Sequence, residues 1–229
     1  MSDPALTRRN LFGAVERYTT DLFGLEDPAL QTATDRAAAA GLPSIEISAT
    51  QGRFLQILAL VIGARRILEI GTLGGYSTIW LARALPSDGS LVSLEIDPAR
   101  AEVARTSLAN AGLGDVVKVR VGPAIESLRA MLASGEAPFD LAFIDADEPS
   151  YVDYLEAVLL LSRPGTVIVA DNVIREGEVT NAATTNLRAI GARRFLEALA
   201  RESRVDATVV PLAGETSYDG MAIARVRST

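Results

Sequence analysis

Apolar positions along the chain follow two different periods. In residues 4–23, Leu6, Leu11, Val15, Tyr18 and Leu22 recur at helical spacing. A second helix is predicted over 28–40, ending at Gly41, a residue type suited to the C′ position. A third starts near Ser48, a good N-cap, and runs through GRFLQILALVIG. From residue 66 the pattern changes to short apolar runs at 66–70, 91–96, 116–121, 140–145, 166–170, 208–212 and 221–226. The first five are rich in Val, Ile and Leu without strict alternation, as expected of strands covered on both faces. Helical segments at 76–85, 98–111, 124–134, 150–162 and 185–202 separate them. The alternation predicts a doubly wound α/β sheet. We read one domain, with a helical N-terminal extension over 1–44 and an α/β core over 45–229. Ligands of such sheets bind beyond the C-terminal strand ends. The chemistry is therefore expected just after residues 70, 96, 121, 145 and 170.

Composition narrows that chemistry. The 229 residues include no Cys and no His, which excludes thiolate metal sites, cysteine nucleophiles, Ser-His-Asp triads and HExxH zinc sites. A metal site must use oxygen ligands and so favours a hard cation such as Mg²⁺, Ca²⁺ or Mn²⁺. Lys118 is the single lysine. The net charge of −7 argues against broad binding to nucleic acid or anionic membrane. The longest strongly apolar stretch, 57–64, is far short of the ~18 residues of a membrane span. The polar start MSDPALTRRN has no apolar h-region, so a cytoplasmic location is expected.

Four strand ends carry candidate residues. After the first strand comes Glu69-Ile70-Gly71-Thr72-Leu73-Gly74-Gly75-Tyr76-Ser77. Its glycines permit close ligand approach, and the helix N-terminus that follows offers free N–H groups. The G-x-x-G-G spacing differs from the G-x-G-x-x-G of a dinucleotide site; a ligand-free βα turn is the other reading. At the second strand end, Glu95 is placed to accept both hydroxyls of a ribose, and Asp97 to cap the helix starting at Pro98. Asp145, in Phe143-Ile144-Asp145-Ala146-Asp147-Glu148, and Asp171-Asn172 end the fourth and fifth strands. On adjacent parallel strands these ends lie ~5 Å apart. Three oxygen ligands with room for water and substrate suit octahedral Mg²⁺. Taken singly, each acid is equally a turn or cap residue; together with the amide they favour a site.

These residues together resemble the cation-dependent O-methyltransferases of the caffeoyl-CoA and catechol type, which use S-adenosylmethionine. The likeness spans about residues 45–226 and rests on LEIGT–GYST, FIDAD–VADN and QGRFLQIL. It implies a class I, Rossmann-like sheet of seven mostly parallel strands with helices on both faces, the last strand antiparallel, and commonly a homodimer. It assigns cofactor contacts to Ile47, Glu69, Gly71, Ser77, Glu95 and Ala124, the last in Gly122-Pro123-Ala124. It assigns the metal to Asp145, Asp171 and Asn172, with Asp145 also near the cofactor or substrate.

One departure bears on the chemistry. The family usually reads D-A-D-K, its lysine helping to deprotonate the substrate; here the position is Glu148. Glu148 as the base, the cation alone as activator, and weak or lost transfer all remain open. Cation activation is preferred because it needs no particular residue at 148. A solvent-facing Glu148 at a helix N-terminus has equal standing. The catalytic candidates are thus Asp145 and Glu148. The expected partner is a hydroxylated aromatic small molecule, methylated at one of two vicinal oxygens. A tRNA hydroxyuridine substrate, a non-catalytic adenosine-ligand module and an NAD-dependent dehydrogenase are the alternatives. The polar loop VIREGEVTNAATTN is a candidate lid, and its Arg175 is read as solvated.

Overall fold

The computed structural model describes residues 4–214 and 218–228. Three helices lead into the sheet: α1 (Pro4–Phe23), α2 (Pro28–Ala39) and α3 (Ala49–Val61). Asp27 starts α2 by accepting from the N–H groups of Ala29 and Leu30, with Pro28 in the first turn. Ser48 and Gln51 form a reciprocal capping box on α3. The side chain of Leu6 lies outside the described residues, while Leu11, Val15, Tyr18 and Leu22 are exposed.

The alternating region comprises β1 (Arg66–Ile70), α4 (Tyr76–Ala82), β2 (Ser90–Glu95), α5 (Pro98–Asn110), β3 (Val117–Val121), α6 (Ala124–Ala133) and β4 (Phe139–Ile144). It continues through a 3₁₀ turn (Glu148–Ser150), α7 (Tyr151–Leu160), β5 (Ser162–Ala170), a second 3₁₀ turn (Glu178–Thr180), α8 (Leu187–Arg201), β6 (Val205–Ala213) and β7 (Tyr218–Val226). The seven strands lie in the order β3-β2-β1-β4-β5-β7-β6. β7 is antiparallel to both neighbours, and the pairs among β1 to β5 are parallel. This is the Rossmann-like class I arrangement that the resemblance implies, and strand order reverses between β1 and β4, where such sheets bind ligand.

Alternate strand residues feed two cores, one on each sheet face. Ile67, Leu141 and Phe143 pack with Leu30, Leu55, Trp80 and Leu108 from α2 to α5. Leu68, Ala142 and Ile144 pack with Leu128, Tyr154, Val158 and Phe195 from α6 to α8. Burying both faces is what makes these strands read as near-continuous apolar runs.

Three strands, β5, β6 and β7, extend several residues past the sequence reading. β5 begins at Ser162, not 166, although Arg163-Pro164-Gly165 reads as a turn. Side chains hold that segment: the Thr166 hydroxyl donates to the Phe139 carbonyl at 2.7 Å and accepts from Arg163 N–H at 2.9 Å, and Arg163 pairs with Asp140. β6 and β7 pair with each other from Val205↔Val226 to Ala213↔Tyr218. Much of β6 is exposed, so its ends lack the apolar signal. No helix among the described residues is long and apolar enough to cross a membrane.

Candidate functional site

The C-terminal ends of β1, β2, β4 and β5 open into one cavity of about 1450 Å³. That exceeds the ~300–1,000 Å³ typical of a single small-ligand pocket and leaves space for two ligands side by side. Ile47, Gly71, Ser77, Glu95, Ala124, Asp145, Glu148, Asp171 and Asn172 all line it. Of the catalytic, cofactor and metal residues assigned from sequence, Glu69 alone stands behind the wall.

At the β1 end the chain turns at Gly71, whose φ is +98°. A Cβ there would sit 1.9 Å from the Asp145 carbonyl oxygen, so this position requires glycine both for its backbone angle and for the close approach of β4. Glu69 is fully buried and accepts from the hydroxyls of Ser77, Thr78 and Ser93 at 2.7, 2.5 and 2.6 Å. Burial pushes its carboxyl up to about 7, against the pull of those three hydrogen bonds. Glu69 therefore fixes Ser77 at the cavity wall.

Glu95 ends β2. One oxygen accepts from the N–H groups of Thr72 and Leu73 at 3.3 and 2.9 Å, and the other from Asp97 at 3.0 Å. The carboxylate thus binds the glycine turn to the β2 end while facing the cavity. Asp97 caps α5 through Ala99 and Arg100. Ala124 opens α6, whose N-terminus also borders the cavity.

Ile144 pairs with Ala170 across β4 and β5, which brings Asp145 and Asp171 side by side. Asp171 N–H donates to the Ile144 carbonyl at 2.9 Å, and the Tyr151 hydroxyl donates to the Asp171 carbonyl at 3.1 Å. Asn172 follows at φ +60°, a left-handed conformation that asparagine tolerates better than most residues. Both carboxyls are held above the usual range. For Asp145 the causes are burial, then the charges of Glu69, Glu148 and Asp219. For Asp171 they are burial, then Asp145. Among the described residues neither carboxyl has a direct ion pair, so two repelling buried acids lie open to a shared counter-charge.

That environment fits a hard divalent cation. Among the described residues no cluster of three or more acidic side chains is arranged to hold an ion by itself. The donors that could hold one are two carboxylates and the Asn172 amide, all lining the cavity, with the rest of the coordination left to water or substrate.

Glu148 is not solvent-facing. It is 2% exposed, because α8 closes over it: a Cβ on Gly191 would stand 2.4 Å from the Glu148 carbonyl oxygen. Its carboxylate oxygens face Arg175 at 3.3 Å and Arg188 at 3.8 Å. Arg175 likewise is not a solvated arginine. It also meets Asp219 at 3.6 Å and borders the cavity. Asp219 was not singled out from sequence. Its side chain accepts from Ile174, Arg175 and Gly220 N–H at 2.8, 3.0 and 2.9 Å. The Asp219-Gly220 pair, a turn-forming dipeptide at the start of the last strand, is the signal that could have found it.

Residues 22–227 match the family model described as O-methyltransferase. The chain is 50% identical to a catechol O-methyltransferase of Niastella koreensis, over 95% of this chain and 98% of that one. It is also 50% identical to a catechol O-methyltransferase of Mycobacterium tuberculosis, over 88% and 90%. Among solved structures, an O-methyltransferase from Bacillus cereus in complex with SAH superposes with a TM-score of 0.93 at 47% identity, covering 96% of this chain and all of that one. The O-methyltransferase TomG from Streptomyces achromogenes, in complex with SAM, gives 0.92 at 44% identity, covering 96% and 99%.

Proposed function

Because the chain belongs to the O-methyltransferase family, as an S-adenosylmethionine-dependent enzyme of the catechol and caffeoyl-CoA type, we propose that it methylates one hydroxyl of a vicinal-dihydroxy aromatic compound with the help of a divalent cation. The observation that carries this reading is the meeting of Asp145, Asp171 and Asn172 in the cavity that also holds the glycine turn and Glu95. Family membership sets aside the dehydrogenase and non-catalytic readings. A small molecule is favoured over tRNA because the chain is acidic, with a net charge of −7.

In this reading the methyl donor occupies the β1–β2 side. Glu95 accepts from its ribose hydroxyls, the α6 N-terminus at Ala124 and the side chain of Ile47 border the adenine, and Ser77, fixed by Glu69, faces the methionine end. Asp145, Asp171 and Asn172 hold the cation, Mg²⁺ or its oxygen-seeking relatives Mn²⁺ and Ca²⁺. When bound, the donor supplies a methyl group activated by the sulfonium charge, and the cation supplies a positive charge that favours an ionised hydroxyl. The chain's own part is to align that oxygen with the methyl group and exclude water from the gap. As the oxygen–carbon bond forms, the carbon–sulfur bond breaks, its electron pair stays on sulfur, and the hydroxyl proton leaves to solvent. Glu148 borders the cavity, but its carboxylate oxygens are engaged by Arg175 and Arg188, which disfavours it as the base.

The test is methyl transfer from S-adenosylmethionine to a catechol, with Mg²⁺ or with EDTA. We expect turnover with Mg²⁺ and a loss of at least ~100-fold with EDTA. The same loss is expected for Asp171→Asn at fixed Mg²⁺, partly offset at higher Mg²⁺. Equal rates with and without EDTA would remove the cation from the mechanism.

A further inference from the structure

Arg175 is the least exposed of the three arginines bordering the cavity: its side chain is 23% exposed, against 39% for Arg100 and 65% for Arg188. Its place is fixed from several directions. Residues 175, 176 and 177 all have positive φ, at +52°, +56° and +81°. Such a run costs backbone energy unless the surroundings impose it. Here the Asp219 side chain accepts from Ile174 and Arg175, Glu176 N–H donates to the Tyr218 carbonyl at 3.0 Å, and the Glu176 side chain accepts from Tyr218 N–H at 3.1 Å. The loop is thereby bound to the start of β7.

The guanidinium itself is only loosely engaged. One terminal nitrogen stands 3.3 Å from Glu148 and 3.6 Å from Asp219. Its Nε is sealed from the cavity and has no hydrogen-bond partner among the described residues, which leaves the terminal nitrogens to face the cavity. A charged guanidinium at the cavity wall, which its carboxylate neighbours meet only at 3.3 and 3.6 Å, can turn a terminal N–H to an acceptor that arrives with a ligand. It borders the same cavity as Asp145, Asp171 and Asn172. The groups around it are Glu148 from the 3₁₀ turn, Asp219 from β7, Asp145 after β4, Asp171 after β5, and Arg188 of α8 through Glu148.

We propose that Arg175 is a catalytic residue that donates to the ionised oxygen of the substrate, and that Glu148 is a positioning residue holding the guanidinium in place. Arginine stays protonated throughout. It takes no proton; the hydroxyl proton leaves to solvent, and the fixed charge lowers the pH at which that happens. Position 148 is then acidic because its task is to hold a cation that comes from the loop. The inference rests on the proposed methyl transfer to a vicinal diol.

The test uses the whole enzyme with Mg²⁺, SAH in place of the donor, and a nitrocatechol whose ionisation is read by absorbance. In the unaltered protein the bound diol is expected to ionise at lower pH than the free one. Arg175→Gln should move that midpoint up by about one pH unit and lower kcat on the order of 100-fold with KM changed little. Arg175→Lys should restore most of both, and Glu148→Gln should give an intermediate shift. Arg188→Gln, which removes the more exposed cation on the same carboxylate, should leave the midpoint in place. A midpoint and kcat unmoved by Arg175→Gln and Arg175→Lys would overturn the proposal while leaving the methyl-transfer reading intact. So would equal shifts from Arg175→Gln and Arg188→Gln. An unaltered enzyme that neither binds nor methylates the diol would overturn both. Melting temperatures separate a folding defect in Arg175→Gln from its effect on ionisation, and if that variant does not fold Glu148→Gln carries the test, an unmoved midpoint there overturning the proposal.

Discussion

Glu69 shows how one buried group sets both the shape of the site and its response to pH. Three hydroxyls satisfy its carboxylate, yet burial still lifts it from 4.5 to about 7. A carboxyl whose pKa is higher in the folded than in the unfolded chain binds more protons when folded. Its stabilising contribution is full below about pH 4.5 and is lost as pH rises through 7. The loss amounts to roughly 3 kcal/mol for this group. Thermal unfolding without added divalent ion should therefore show a midpoint that declines from pH 5 to 8. Glu69→Gln keeps the shape and removes the titration, so its decline should be shallower, with the remainder due to Asp145 and Asp171. Parallel curves for the two proteins would show that Glu69 is already ionised across this range.

The strand ends were legible because their chemistry is compressed into a few adjacent letters. Glu69 to Ser77, Glu95, Asp145 and Asp171-Asn172 each close a strong apolar run, and the βα alternation dictates that such ends share one sheet edge. Less legible was whatever depends on a tertiary partner. Glu148 reads equally as a catalytic or a solvated residue until α8 closes over it at Gly191. Arg175 reads as a loop arginine until β7 returns Asp219 beneath it. The extra residues of β5 and β6 are held by side-chain hydrogen bonds and hairpin pairing, which leave no apolar trace. Two substitutions test these elements. Gly71→Ala forces a methyl group into the Asp145 backbone and should cost more than about 2 kcal/mol, with loss of SAH binding by calorimetry. Asp219→Ala removes the acceptor for three N–H groups. Hydrogen exchange should then accelerate over residues 173–180, while the amides of β1 and β4 stay protected; unchanged exchange in that loop would mean other contacts hold it.

The molecule as a whole leaves an apolar face uncovered. Phe54, Ile57, Leu60 and Val61 of α3 are exposed, as are Leu11, Val15, Tyr18, Leu22 and Phe23 of α1. The α3 segment ATQGRFLQILALV has Arg53 as its one charged residue, so it has no solvated face of the ordinary kind. Leu11 and Val15 border the ligand cavity, so it is the exposed apolar row on α3 that marks an interaction surface. A second copy of the chain is the occupant we expect, because a helix with apolar residues at these spacings can pack on its own symmetry mate across a two-fold axis. Covering a leucine or isoleucine fully is worth about 1.5–3 kcal/mol, and a stable interface buries roughly 1,200–2,000 Å². Sedimentation at micromolar concentration should give a dimer. Ile57→Glu combined with Leu60→Glu would place two unpaired carboxylates at the centre of that interface and should give a monomer that melts several degrees lower. The substitutions lie away from Asp145, Asp171 and Asn172, so the monomer should still bind SAH. An unaltered chain that sediments as a monomer would assign the face to some other partner.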